Sequence, residues 1–119
     1  MAYLLNSSLG IGHILAGISS IIAPSSLSGA FRFKPAASTD YMIRANGIRD
    51  AALGLGIQLY ERGSPENRMA VLASAVVHAA DIVNVVLGYV KGEVPYEGFV
   101  TGLVLDGVLT GLSWWALQG

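Results

Sequence analysis

Residues 64–91 read SPENRMAVLASAVVHAADIVNVVLGYVK. Ser64 is a good helix N-cap, Pro65 suits the first helical position, and Asn67–Arg68 fill the first turn. The apolar run that follows is helical in its patterning, not alternating, and ends near Val90 before Lys91–Gly92. It exceeds the roughly 20 residues needed to cross a bilayer. Only helices or closed barrels cross, because backbone groups find no water there. Yet His78 and Asp81 sit in the middle of it. Ionisable groups at bilayer depth are expensive and by default mark a functional site.

Three other stretches have the same form. The first apolar run covers about 2–23 and stops at Pro24, with His13 near its midpoint. No basic region precedes it, so it reads as a membrane helix and not as a signal peptide. A linker, SSLSGAFRFKPAAST, leads to a helix over about 41–60, with Thr39 or Asp40 as its cap and Arg49 and Asp50 at its centre. The last helix covers about 96–117 and carries Asp106. With the helix over 65–90, the expectation is an all-α four-transmembrane-helix bundle, up-down-up-down, in one integral membrane domain over 1–119.

Composition agrees. The chain is 53% hydrophobic and 13% charged, against about 25% charged in a typical soluble domain, and its mean hydropathy is +0.57. A soluble bundle of this size needs a charged exterior that this sequence does not supply. A net charge of −1 without a basic patch excludes nucleic acid as a partner. The absence of cysteine excludes disulfides, thiolate metal sites and a cysteine nucleophile. Tyr60, Tyr89, Tyr96 and Trp114–Trp115 lie near helix ends, as in an interfacial aromatic belt. Lys and Arg are spread evenly between the loops, so membrane orientation stays open. Gly10 and Gly17 share a face with Asn6, His13 and Ser20. Gly98/Gly102 and Gly107/Gly111 are four apart. Such spacing serves tight packing within the bundle, or a dimer face or room for a ligand, and packing is preferred.

If the helices alternate, all six ionisable groups fall in one layer. Helical spacing places Asn46, Arg49 and Asp50 on one stripe, Ser74, His78 and Asp81 with Asn84 on a second, and Gly102, Asp106 and Thr110 on a third. Arg49 and Asp50 are about 100° apart around their helix, so Arg49 is expected to reach across to Asp81 or Asp106 instead of pairing with its neighbour. Three carboxylates near one arginine in a low-dielectric layer cannot all stay ionised, so one is expected to hold its proton while another, paired with Arg49, does not. A split of this kind supplies a general acid and a general base. His13 and His78 are candidates to relay protons or orient a substrate. Buried ion pairs can also serve only to fix helix register, and a lone His13 reads as interhelical glue. Six such groups in so small a chain exceed what packing requires. His78 and Asp81 alone make a weak metal signature, and no metal or cofactor is expected. No phosphate loop, dinucleotide fingerprint or nucleophilic serine motif is present.

The segment from Asn46 to Gly56, NGIRDAALGLG, together with Gly10-Ile-Gly-His13, Pro24 and the Asp81 region, resembles a family of small fungal four-helix membrane proteins. That family is similar to the membrane epoxide hydrolases and cyclases of polyene mycotoxin biosynthesis, of the aurovertin and citreoviridin type. The resemblance spans most of the chain, but only Gly-Ile-Arg-Asp is specific. It implies an enzyme of secondary metabolism in a fungal membrane, the endoplasmic reticulum, acting beside a membrane monooxygenase on a lipophilic polyketide or terpenoid epoxide.

That implication suits the residues. Opening an epoxide needs an acid at the ring oxygen and a base on the attacking water or hydroxyl. Limonene-type epoxide hydrolases use a similar Asp–Arg–Asp arrangement on an unrelated fold, an analogy of chemistry alone. The expected catalytic set is Asp50, Asp81, Asp106 and Arg49, with His13, His78, Asn46 and Asn84 positioning water or substrate. Two rivals from other classes stand beside it: a proton-coupled small-molecule carrier, which would work as a homodimer, and a non-catalytic membrane assembly subunit.

Overall fold

The structure is a computed structural model that describes residues 2–34 and 36–118. It is all-helical among those residues: α1 is Ala2–Ile22, α2 Pro24–Ala30, α3 Ala37–Leu59, α4 Pro65–Val90 and α5 Tyr96–Gln118. The expected cap of α4 is in place, with Ser64 Oγ accepting a hydrogen bond from the Asn67 backbone N–H at 3.1 Å. Pro65 opens the helix, where its missing N–H costs nothing.

Two expectations need correction near residue 30. The linker contains the short helix α2, started by Pro24 at its first turn. The helix expected from 41 starts at Ala37, with Ala36 at the N-cap position and no side-chain cap, so Thr39 and Asp40 lie inside its first turns. Asp40 is spent otherwise: its Oδ2 accepts from Ser25 Oγ at 2.9 Å, tying α2 to α3. Polar residues between two apolar runs read as linker, and only the tertiary partner reveals that they are ordered.

The long helices run antiparallel to their chain neighbours. Gly10 faces Gly54 and Gly17 faces Gly47, which fixes the register of α1 on α3. A Cβ on Gly54 would lie 2.5 Å from the Gly10 carbonyl oxygen, and one on Gly17 2.5 Å from that of Gly47. The backbones touch there, and the small-residue face expected on α1 is a packing face. The α4–α5 pair is the second tight unit. Gly102 of α5 meets Val85 of α4, and Gly98 meets the Phe31 carbonyl beyond α2. Gly107 and Gly111 face open space.

Burial is inverted relative to a water-soluble domain. Asn6, His13, Asn67, Ser74, His78 and Ser113 are buried, while Leu4, Ile22, Leu59, Met69, Val90, Val104 and Trp114 are exposed. The apolar core is one thin layer of Leu9, Ile57 and Val71. An exterior this apolar matches lipid, not water. Three helices, α1 over Tyr3–Ile22, α4 and α5, are long and apolar enough to cross a membrane. The fourth expected span, α3, carries Asp40, Arg44, Arg49 and Asp50 and does not join that set.

Candidate functional site: a four-helix polar junction

The α1–α3 and α4–α5 pairs meet along a ladder of polar rungs. At one end the side-chain amides of Asn6 and Asn67 bond reciprocally, at 3.0 and 3.2 Å. Asn67 also donates to the Ile57 carbonyl at 2.9 Å and accepts from the Gly63 N–H at 3.2 Å. One buried amide thereby joins α1, α3, α4 and the loop between α3 and α4. Above the apolar layer, Ser74 Oγ lies 3.1 Å from Ser113 Oγ and 3.0 Å from His13 Nε2.

The next rung is the centre of the molecule. His13 Nε2 and His78 Nε2 are 2.8 Å apart, and His78 Nδ1 is 2.8 Å from Asp106 Oδ1. His13 Nδ1 is 2.7 Å from the Leu9 carbonyl oxygen, one turn back on α1. A carbonyl has only lone pairs, so His13 Nδ1 carries a hydrogen. A proton must also lie between the two Nε2 atoms and another between Nδ1 and Asp106, since neither gap closes between two lone pairs. Three gaps thus hold three protons. With Asp106 Oδ2 unprotonated, His13, His78 and Asp106 then carry no net charge together, wherever each proton sits within its gap.

Arg49 completes the junction from α3. Its Nη1 and Nη2 donate to Asp81 Oδ1 and Oδ2 at 3.1 and 2.9 Å, a fork on both carboxylate oxygens. The expected bridge from α3 to α4 is therefore present. The expectation that Arg49 could not pair with Asp50 is overturned. Nε and Nη2 donate to Asp50 Oδ1 at 3.2 and 3.0 Å. The 100° offset separates Cβ atoms, but the long guanidinium arm turns back across it and presents its remaining edge to its neighbour.

All six expected ionisable residues meet in one junction. Asn46 and Asn84 do not bond into it. They lie one turn further along α3 and α4 from Arg49 and Asp81, exposed on both helices. The junction opens on that side: Arg49 and Asp81 side chains are 31% and 29% exposed, Asp50 and Asp106 each 19%. Neither Asp50 Oδ2 nor Asp106 Oδ2 takes a hydrogen bond among the described residues. Thr110 Oγ1, one turn from Asp106, is buried without a partner among them. A buried hydroxyl in that state is costly.

His78, Asp81 and Asp106 offer three ligand atoms within 4.8 Å of one another. Both oxygens of Asp81 already serve Arg49, and the His78–Asp106 contact is a short hydrogen bond. The set is built around protons and a guanidinium, and a cation there would face the charge of Arg49.

Sequence reading did not single out Ser113, or the Asn6–Asn67 pair, as members of the ladder. Asn6 and Asn67 stand 61 positions apart, and nothing short of the fold joins them. Comparison of the chain with protein-family models, with curated proteins and with solved structures finds no match.

Proposed function

We propose that this chain crosses the membrane four times and opens epoxides of lipophilic substrates, as a cofactor-independent hydrolase or cyclase. The observation that carries the reading is the Asp50–Arg49–Asp81 bridge beside the His78–Asp106 pair, with one free oxygen on Asp50 and one on Asp106. Arg49, Asp50 and Asp81 sum to one excess negative charge, which one added proton cancels. Asp81 is held by both oxygens, so Asp50, with Oδ2 free, is the carboxyl placed to carry that proton as general acid. Asp106 Oδ2 is placed to act as general base, with the charge it gains spread into the histidines through Oδ1.

The step then balances. Asp50 Oδ2–H gives its proton to the ring oxygen as the C–O bond breaks. The attacking oxygen forms its bond to that carbon and loses a proton to Asp106 Oδ2. Water as nucleophile yields a diol, and a hydroxyl of the substrate yields a cyclic ether. Transfer of the proton from Asp106 back to Asp50 resets the site. An apolar epoxide partitions into the bilayer and reaches the partly exposed junction from the lipid, past Asn46 and Asn84. Four crossings put α3 in the membrane with α1, α4 and α5, its charges turned onto the polar ladder and Arg44 snorkelling to the interface.

The test is turnover of a lipophilic epoxide by the purified protein in vesicles. Asp50→Asn and Asp106→Asn are each expected to lower the rate about 10²–10⁴-fold, the usual worth of a positioned acid or base. If Asp50→Asn, Asp81→Asn and Asp106→Asn all convert epoxide at the parental rate, the proposal fails. A proton-coupled carrier is the second reading, favoured by the unbroken series from Asp106 through His78 and His13 to Ser74. Solute uptake by proteoliposomes, driven by a proton gradient and without chemical change of the solute, would support it instead.

A further inference from the structure

At the opposite end of the ladder from α2, the ends of α1, α4 and α5 enclose a cavity of about 100 Å³. Polar Asn6, Arg62, Asn67 and Arg68 line it together with apolar Val71 and Leu117. Neither arginine has a carboxylate partner among the described residues. Glu66 is close in sequence but lines a separate shallow groove with Tyr60 and Met69, so among the described residues the charged groups that line the cavity are the two arginines. The Arg62 guanidinium lies over the ring of Tyr3, 5.6 Å from its centroid. That contact orients one planar fork and leaves its N–H groups for a ligand. Asn6 spends one amide hydrogen on Asn67 and keeps the other.

Tyr3, Tyr60, Trp114 and Trp115 are exposed around the same end. A ring of tyrosine and tryptophan at one end of apolar helices places that end at the headgroup level of a bilayer. Two arginines and apolar side chains lining one cavity at that depth match a phosphate group joined to an apolar body. We propose that this cavity binds the phosphate of an anionic phospholipid headgroup, with the lipid's glycerol and chains running down past Leu117. The proposal rests on the membrane placement of the chain and not on the epoxide chemistry.

The experiment compares the intact protein in phosphatidylcholine vesicles with and without phosphatidylglycerol. The readout is lipid retained in native mass spectra. Retention of phosphatidylglycerol over phosphatidylcholine is expected to be roughly ten-fold or more, from two arginines each contributing to headgroup attraction. R62Q/R68Q should abolish the preference, while K34Q/K91Q, which removes the same charge from the other end, should keep it. Equal loss in both variants, or loss in neither, overturns the proposal.

A measurement on the unaltered protein covers the case in which R62Q/R68Q does not fold. Headgroup-photoactivatable phosphatidylglycerol should crosslink to residues 62–68 or to the end of α5, and crosslinks found only elsewhere overturn it. Inorganic phosphate added to phosphatidylcholine vesicles identifies the source. Protection from unfolding that requires Arg62 and Arg68 would assign the cavity to a soluble phosphate compound and overturn the lipid assignment. Absence of protection agrees with a lipid. Flotation of the vesicles scores membrane residence separately, so failure of the membrane placement is distinguishable from failure of the site.

Discussion

Arg49 makes four hydrogen bonds to two carboxylates with one side chain. Lysine offers a point charge on a flexible stem and cannot hold Asp81 by a fork while facing Asp50. Arg49→Lys is therefore expected to keep the fold, lose about 1–3 kcal/mol of stability, and lose turnover more than substrate affinity. Unfolding in detergent and steady-state rates check the two parts. The histidines give a second expectation. Imidazole ¹⁵N spectra should show a proton on His13 Nδ1 and one proton shared between the two Nε2 atoms. Spectra with both Nε2 atoms protonated, or both bare, would contradict the hydrogen-bond assignment. At this scale the sequence was most legible for the charged groups, because an Asp or His in an apolar run has few alternatives to a shared polar interior. It was least legible for Arg49 and Asp50, where helical phase describes Cβ positions and the reach of a long side chain decides the contact. Asn46 and Asn84 share the right stripes yet sit beyond the closed rungs, since phase gives direction without depth.

Among the elements, the α1–α3 pair depends on its glycines at two crossings. A methyl on Gly54 meets the Gly10 carbonyl and the Ile14 backbone N at 2.5 and 2.8 Å, neither of which can give way cheaply. Gly54→Ala is expected to destabilise by about 1–3 kcal/mol. Gly107→Ala and Gly111→Ala meet nothing within 4 Å. They should be neutral or stabilising by up to about 1 kcal/mol, from helix propensity alone. Thermal unfolding of the three variants in one detergent makes the comparison, and equal effects would refute the register. Arg32, just past α2, has φ +61°, a left-handed conformation that glycine takes without cost. Arg32→Gly is expected to stabilise by up to about 1 kcal/mol, the relief of left-handed strain less the chain entropy that glycine adds, read in the same assay. The long helices and the Ser64 cap of α4 were legible from periodicity and end signals. Helix α2 was not, because seven residues of Pro, Ser, Gly, Leu and Ala carry no period of their own and are tied down from outside by Asp40 of α3.

For the whole molecule, the interior is polar and the exterior apolar, so the protein belongs in lipid. It should remain with membranes through an alkaline carbonate wash and leave them only with detergent; a soluble monomer released without detergent would overturn that placement. The inverted burial also bears on heat. In a water-soluble domain the large heat-capacity increment of unfolding comes from apolar surface newly exposed to water, and it bends the stability curve into a dome. Here the apolar side chains face lipid before and after the helices separate, while the groups uncovered are amides, hydroxyls and ions. Calorimetry of the protein in vesicles should therefore give a small increment, a nearly straight fall of stability with temperature, and no return of instability in the cold.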